Sequence, residues 1–460
     1  NSYYAEVDGK PSRVSPAHVN LGVAIDMKDS ENAHTLVVPS IKQAERLNFR
    51  EFHQAFETLI AKARDGKLTA ADHAGATITI TNPGVIGTVH SAPRLMNGQG
   101  CIIGVGSLDY PAAFQGMAQK NLDQLAISKR LMLSSTYDHR IIQGAASGEL
   151  LAKVAELLTG ADNFYERIFA ALRIPYRPII WSKDHFVDPA DAINKTARVQ
   201  SVINMYRVRG HLMADTDPLE YVQRSHPDLE IESHGLTFWD LEREFVTENF
   251  STKRLMKLRD VLGILRDTYC RTIGIEYMFI PEPEIRQWFQ DELEHPYTPP
   301  THEQQLHILK KLNQAEAFET FLQTKYVGQK RFSLEGSESL IPLLDQIAQD
   351  SAAAEHTELA IGMAHRGRLN VLTNIAGKTY GQVFREFEGA QAGKVVGSGD
   401  VKYHLGIEGT YTDLQGRELP IYLAANPSHL EAVNGVLEGI VRGKHCLLYT
   451  SPSPRDKRQS

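Results

Sequence analysis

A group of side chains in the last third of the chain has the chemistry needed to bind anions. These cations, imidazoles and one hydroxyl follow or precede short apolar runs: His365, Arg366, Arg368, Lys402, His404, Ser428 and His429. Such groups suit diphosphate or carboxylate ligands, because they donate hydrogen bonds and most of them can carry positive charge. The sequence therefore predicts a binding site for a doubly charged small molecule.

The apolar runs around these side chains predict the elements that position them. Residues 359–364 and 420–425 read as strands, and 369–376 and 430–438 read as helices. Strand, polar turn and helix form a βα unit, and such turns gather at the carboxyl edge of a parallel sheet, where open α/β folds bind ligands. Blander interpretations stay open. Ser428 to Glu431 fits a helix capping box, Arg366 and Arg368 could form a solvated turn, and His404 could be an ordinary strand histidine.

A second candidate site surrounds His139, in the stretch from Ser135 to Gly144. A free thiol has a pKa near ~8.5 and is mostly protonated at neutral pH, so attack of a thiol on a thioester needs a base. Imidazole is the side chain best matched to that task. Taken alone, a histidine in a turn is more often structural.

Composition limits the classes of protein to consider. The 460 residues are 42% hydrophobic and 23% charged, which is ordinary for soluble globular domains and allows two to four of them. With 49 Lys and Arg against 56 Asp and Glu, nothing favours nucleic acid or an anionic membrane as a partner. No apolar run reaches membrane-spanning length. Cys101, Cys270 and Cys446 are isolated, so a reducing, cytoplasmic setting is expected.

The predicted fold class is α/β. Residues 1–165 alternate strands and helices and predict a mixed sheet with helices. Residues 166–300 predict a helical connector, and 301–444 predict part of a parallel α/β domain. Residues 445–460 do not continue this pattern, and we expect a disordered, non-native tail.

Several motifs resemble known families. MAHRGRLN at 363–370, DVKYHLG at 400–406 and NPSHLE at 426–431 strongly resemble the thiamine-diphosphate-dependent 2-oxoglutarate dehydrogenase component. The stretches at 206–213, 274–278 and 331–336 are similar to the same family. Asp138-His139-Arg140 resembles the acyltransferases of lipoamide-dependent complexes. The chain thus resembles part of a fused enzyme of 2-oxoglutarate metabolism. The resemblance implies an acyltransferase-type mixed sheet over 1–165 and the front of a thiamine-type parallel α/β domain over 301–444.

The dehydrogenase resemblance implies roles for individual residues. Arg366 and Leu430 would contact thiamine diphosphate, His404 and Ser428 would bind 2-oxoglutarate, and His365 would assist proton transfer. The family's Mg²⁺ ligands lie farther on, so no metal ligand is predicted in this chain. We therefore expect that the chain alone cannot complete thiamine catalysis.

The acyltransferase resemblance implies that His139 is the base and that Thr81 donates to the oxyanion. The family usually has Asp where this chain has Gln143. The domain could therefore be a succinyltransferase or a non-catalytic assembly platform. Coenzyme A and lipoamide would carry the acyl group. The implied partners are a lipoyl-bearing acyltransferase component, dihydrolipoamide dehydrogenase and further copies of this chain, acting in the tricarboxylic acid cycle.

Overall fold

The computed structural model describes residues 2–28, 34–183, 191–248, 250–251, 253–388, 404–426 and 430–449. They fall into two compact units, residues 1–297 and 298–460. None of the described helices is both long and apolar enough to cross a bilayer.

The first unit begins with an α/β part. Its elements in chain order are β1 (Tyr3–Val7), β2 (Lys10–Val14), β3 (Leu21–Val23), β4 (Ile25–Lys28), β5 (His34–Val37), β6 (Ser40–Ile41), α1 (Phe49–Arg64), α2 (Ala70–His73), β7 (Ile78–Thr81), β8 (Cys101–Val105), α3 (Gln119–Gln124), β9 (Leu133–Tyr137), α4 (Gly144–Leu158) and α5 (Phe164–Leu172).

A five-stranded mixed sheet forms the centre of this part. Its strand order is β6-β3-β7-β8-β9, with β3, β7 and β8 parallel and both edge strands antiparallel. Helix α1 starts at a capping box between Asn48 and Glu51 and buries Leu59 against Val23 and Ile41 of the sheet. The predicted mixed sheet with helices is confirmed.

The remainder of the first unit is largely helical. It contains α6 (Asp191–Arg209), β10 (Glu244–Val246), β11 (Leu255–Lys257), α7 (Leu258–Tyr269) and α8 (Pro283–Leu293). Helix α7 buries one apolar face, because its large apolar residues recur every three or four positions: Leu258, Val261, Leu262, Leu265 and Tyr269. Within the predicted helical connector, residues 255–257 instead pair with β10 as a strand directly before α7 begins.

The second unit contains α9 (His302–Lys325), α10 (Leu340–Ala353), β12 (Leu359–Ile361), α11 (Arg368–Asn374), α12 (Tyr380–Phe387), β13 (Ile407–Thr412), β14 (Glu418–Leu423) and α13 (Ala432–Tyr449). Its sheet order is β12-β14-β13. Strands β12 and β14 are parallel, as predicted, whereas β13 is antiparallel to β14 because a tight turn at Asp413–Arg417 joins them.

Helix α13 differs from its prediction at both ends. It begins at Ala432 rather than at Leu430, so Glu431 precedes the helix instead of lying in its first turn. Ser428, the predicted capping residue, lies outside the described residues. The helix also continues to Tyr449. The expectation of a disordered tail is therefore wrong for 445–449, since the backbone there extends the helix beyond Lys444, whose ammonium group pairs with Glu358 at 2.7 Å.

Candidate functional site

The carboxyl ends of the parallel strands β12 and β14 carry the first candidate site. After β12 the chain turns sharply at Gly367, which has a φ of +72°. A Cβ at this position would approach Leu334 Cδ1 to 2.5 Å. Only glycine fits such a turn without strain, and it directs the chain into α11, which starts at Arg368.

Arg368 joins three backbone segments at this edge. Its Nη1 donates to the carbonyl of Met363 at 3.2 Å, and its Nη2 donates to the carbonyls of Leu405 and Ala424 at 2.8 and 2.6 Å. The side chain is fully buried, at 0% exposure. Burial lowers the pKa of its guanidinium to about 10. The interpretation of Arg368 as part of a solvated turn is therefore wrong.

Asn426 holds the same edge from the end of β14. Its backbone N–H donates to the carbonyl of His404 at 2.9 Å, and its side-chain Nδ2 donates to the carbonyl of Met363 at 2.5 Å. The segments that carry His404 and the predicted cofactor turn thus meet next to the last residues of β14. His404 is half-buried and lies in a turn, not within a strand.

His365 and Arg366 face the segment 331–336. The ring of His365 packs on that of Phe332 with centroids 4.3 Å apart, and Arg366 Nη2 donates to the carbonyl of Glu335 at 2.9 Å. Glu319 supports this segment from α9, because its carboxylate accepts hydrogen bonds from Ser333 and from the backbone N–H of Leu334. The motif at 331–336 therefore supports the turn at 365–367.

Of the remaining predicted residues, the structure describes only Leu430. Leu430 is 58% exposed and lies just before α13. Ser428 is outside the described residues, as are Lys402 and His429. The structure thus joins the segments of His404, His365 and Arg366 at one edge, and leaves the cofactor role of Leu430 a prediction.

The residues at this edge fit a diphosphate in one respect. The buried Nε of Arg368 has no hydrogen-bond partner among the described residues, and a buried donor of this kind favours a nearby acceptor or anion. The described residues contain no group of three His, Cys, Asp or Glu side chains that could hold a metal ion.

The second candidate site divides between two ends of the mixed sheet. Thr81 ends β7 and lies opposite Gly104 of β8, which in turn lies opposite Ser134 of β9. His139 follows Tyr137, which lies opposite Cys101. Thr81 and Tyr137 are therefore offset by three residues along the strand direction, roughly 10 Å. They also lie on strands that are two positions apart in the sheet, which adds roughly 10 Å more. His139 and Thr81 of one copy therefore cannot touch the same acyl group.

The turn that carries His139 is exposed and held by its neighbours. The imidazole lies 5.7 Å from the ring of Tyr137. Asp138 accepts hydrogen bonds from Nε and Nη2 of Arg140 at 2.9 and 2.7 Å, and these bonds hold the pKa of Asp138 below its usual range. Arg140 also stacks over the ring of Tyr4 at 3.7 Å. Asp138 thus binds Arg140, and Gln143 is an exposed N-cap whose side chain makes no capping bond.

An exposed apolar surface adjoins Thr81. Val85, Ile86, Val89 and Met132 expose 81%, 84%, 59% and 49% of their side chains. Their backbones are adjacent, because Ser107 N–H donates to Thr88 and Gly106 N–H donates to Met132. We call this set the Val85 surface. An apolar cluster of this kind typically marks a protein interface.

Sequence reasoning missed part of the first site. Arg368 and Asn426 carry its connections, yet the sequence assigned Asn426 no role beyond its place in the NPSHLE motif. Their role depends on burial, which arises when three distant segments converge. The only usable signal in the sequence was a polar residue directly following each predicted parallel strand.

Comparison with known proteins agrees with the motifs. Residues 1–165 match the family of 2-oxoacid dehydrogenases acyltransferase (catalytic domain). The chain is 54% identical over 459 residues to a "multifunctional 2-oxoglutarate metabolism enzyme" of Mycolicibacterium vanbaalenii, which covers 99% of this chain and 37% of that protein. A protein of the same name from Mycobacterium sp. (strain JLS) is 55% identical over 97% of this chain and 36% of its own length.

A third relative carries a different name. The "2-oxoglutarate dehydrogenase E1/E2 component" of Corynebacterium glutamicum is 52% identical over 96% of this chain and 37% of its own length. The predicted resemblance to fused enzymes of 2-oxoglutarate metabolism is therefore confirmed. The chain spans about a third of the length of these relatives.

Proposed function

From its similarity to fused enzymes of 2-oxoglutarate metabolism, we propose that this chain contributes to two linked reactions in the tricarboxylic acid cycle. One is thiamine-dependent decarboxylation of 2-oxoglutarate. The other is transfer of the succinyl group through lipoamide to coenzyme A. A lipoyl-bearing acyltransferase component and dihydrolipoamide dehydrogenase would be the partners, in the cytoplasm.

One observation supports the decarboxylation half most directly. The segments of Arg366, His404 and Asn426 meet at the carboxyl edge of β12 and β14, where α/β folds bind ligands. Thiamine diphosphate, when bound, supplies the electron sink that loss of carbon dioxide from a 2-oxo acid requires. Arg366 and Leu430 would hold this cofactor, His404 and Ser428 would hold the substrate carboxylates, and His365 would move a proton.

Isothermal titration with 2-oxoglutarate and with thiamine diphosphate plus Mg²⁺ tests this half. We expect 2-oxoglutarate to bind weakly and His404→Ala to abolish the heat of binding. His356→Ala is the control, since His356 lies beyond α10 and away from this edge. Binding that survives His404→Ala would contradict the substrate role. Tight stoichiometric cofactor binding would contradict the expectation that this chain needs further residues for thiamine catalysis.

For acyl transfer we propose a site shared by two copies of the chain. His139 of one copy would take the proton from the attacking thiol, and Thr81 of another would donate to the oxyanion. The separation of these residues within one copy supports this arrangement, and so does the Val85 surface beside Thr81. An oligomer with closed symmetry would bury this surface and complete each site.

Mixing two inactive variants tests the shared site. His139→Ala and Thr81→Ala should each lose succinyl transfer between succinyl-coenzyme A and dihydrolipoamide. When the two are unfolded and refolded together, about one quarter of the sites should contain an intact pair. Mixed samples that stay inactive, although they form oligomers, would contradict the shared site.

The platform alternative has one observation in its favour. Gln143 is a neutral amide and its exposed side chain makes no capping bond, whereas the family's Asp would place a negative charge there. A folded, oligomeric wild-type chain without transfer activity would support the platform. Transfer that His139→Ala abolishes would support the enzyme.

A further inference from the structure

The carboxyl edge of β12 and β14 contains a buried positive charge, and no described carboxylate neutralises it. Arg368 is the largest fully buried side chain in the described part of the protein. Its three hydrogen bonds to described residues all go to backbone carbonyls. No described carboxylate lies within ion-pair distance of its guanidinium, and burial alone accounts for its lowered pKa. Burying a cation in this way is costly unless something nearby compensates for the charge.

The three carbonyls belong to the three segments that form the candidate site. Met363 precedes the turn of Arg366, Leu405 follows His404, and Ala424 lies at the end of β14. Strand pairing places β14 beside both β12 and β13, but Met363, Leu405 and Ala424 lie beyond the ends of the paired strands. The Arg368 fork is the one described side chain that donates to all three segments.

Other contacts support the same edge. Asn426, at the end of β14, bonds to the segments of Met363 and His404 through its side chain and its backbone, and the backbone N–H of Ala424 joins β14 to Ile361. Three carbonyl oxygens also concentrate partial negative charge around the guanidinium. They satisfy its donors only in part, because Nε is buried without a partner among the described residues. The remaining positive potential is available to an anion at the edge.

We propose that Arg368 is a positioning residue of the 2-oxoglutarate and diphosphate site, which fixes the Arg366 turn and the His404 segment to β14 and makes this edge selective for anions. The proposal rests on the proposed function for its ligands and extends it to a residue that does not touch them. The guanidinium of Arg368 would therefore act in two ways that can be tested separately. Its hydrogen bonds to three carbonyls would fix the segments in place, and its positive charge would attract an anionic ligand.

Two substitutions separate these properties. Arg368→Lys keeps the charge, but a single ammonium group cannot bridge three carbonyls in the arginine geometry. Arg368→Gln removes the charge and also the fork. Arg417→Gln is the matched control, because Arg417 lies in the same unit, is 44% exposed and pairs with Asp413 in the β13–β14 turn.

Hydrogen exchange on the 460-residue chain tests the positioning role. We expect the N–H groups of Asn426 and Gly367 to exchange at least about tenfold faster in both Arg368 variants than in the wild type and in Arg417→Gln. Unchanged exchange at these amides in the folded Arg368→Gln chain would overturn the positioning role. If Arg368→Gln does not fold, Arg368→Lys provides the same comparison.

Thermal shifts with 2-oxoglutarate and with inorganic pyrophosphate as probes test the charge. The wild type, Arg417→Gln and Arg368→Lys should all gain stability from these anions, and Arg368→Gln should not. Equal gains in Arg368→Gln and Arg368→Lys would overturn the anion role and leave Arg368 merely structural. Absence of a gain in the wild type would contradict the proposed function and the anion role, whereas the exchange measurement would still decide the positioning role by itself.

Discussion

The carboxylate of Asp345, which is 1% exposed, forms an ion pair with the ammonium group of Lys311 at a distance of 2.6 Å. Tyr411 and His307 donate to the same carboxylate, each at 2.6 Å. Burial alone would raise the pKa of Asp345, but these hydrogen bonds outweigh it and leave the pKa below its ordinary value. One buried charge thus ties α9, α10 and β13 together.

This network predicts a specific loss of stability in acid. Because the pKa of Asp345 is lower in the folded protein than in the unfolded chain, its ionised form stabilises the fold above about pH 4. That contribution disappears as the pH falls below about 4 and through the folded pKa. In urea titrations of the wild type, we expect the free energy of unfolding to fall steeply in this range, and the Asp345→Asn chain to show a flatter dependence.

The matched control is Asp350→Asn, on the exposed side of the same helix α10. At pH 7 the Asp345 variant should lose roughly 3–5 kcal/mol, because it leaves Lys311, which is 16% exposed, without its counter-charge. The control should stay within about 0.5 kcal/mol of the wild type. Parallel pH curves for the wild type and Asp345→Asn would show that the buried carboxylate does not govern acid stability.

A second buried pair predicts strong coupling between α6 and the end of α8. Arg207 donates two hydrogen bonds to Glu294, at 2.7 and 2.6 Å, and Tyr269 donates a third at 2.8 Å. Arg207→Met and Glu294→Gln should each cost roughly 3–5 kcal/mol, because each leaves a buried partner unsatisfied. In a double-mutant cycle by urea denaturation, we expect the combined variant to lose less than the sum of the two. Simple additivity would show that the pair is not coupled.

The Arg207–Glu294 pair is an example of a contact that the sequence did not predict. The stretch at 206–213 was assigned to a family by resemblance, and the structure gives Arg207 a structural partner 87 residues away in sequence. Helix α1 depends on features that the sequence displays directly, because its cap and its apolar spacing are local. Short strands such as β10 and β11 form only because they pair with each other, and the periodicity of the sequence does not reveal the pairing partner.

The candidate sites divide in the same way. Local motifs identified His139, His365, Arg366 and His404, since each lies in a polar turn beside an apolar run. They did not identify Arg368 as buried, because nothing in a turn rich in arginine distinguishes a solvated guanidinium from one enclosed by distant segments. They also did not show that Thr81 and His139 lie at opposite ends of β8, because strand register depends on pairing.

Gly406 gives a third prediction, at the crossing of the His404 segment over β14. A Cβ at Gly406 would lie 2.6 Å from the carbonyl oxygen of Leu423 and 2.9 Å from the backbone nitrogen of Ala425. Gly406→Ala should push the segment away from the strand, at a cost of roughly 1–3 kcal/mol in unfolding free energy. Exchange of the Asn426 N–H, which donates to His404, should become faster.

The control for Gly406 is Gly435→Ala. Gly435 lies in α13, and apart from the backbone of its own helix no described atom lies within 4 Å of an added Cβ. The substitution should therefore gain roughly 0.5–1 kcal/mol from helix propensity. Equal effects of the two alanines would show that the close approach at Gly406 does not hold the segment.

Gln143 gives the last prediction, because two effects of its replacement can be measured apart. It is the N-cap of α4 with extended φ and ψ of −84° and 154°, and its side chain makes no capping bond. Asp and Asn both cap helices well, so Gln143→Asp and Gln143→Asn should each raise the free energy of unfolding by about 1 kcal/mol.

Only Asp adds a negative charge beside the turn of His139. We therefore expect Gln143→Asp to increase succinyl transfer several-fold and Gln143→Asn to leave it unchanged, in assays with succinyl-coenzyme A and dihydrolipoamide. Equal transfer by all three chains would mean that the amide already orients the turn, and the argument for a non-catalytic platform would lose its main support.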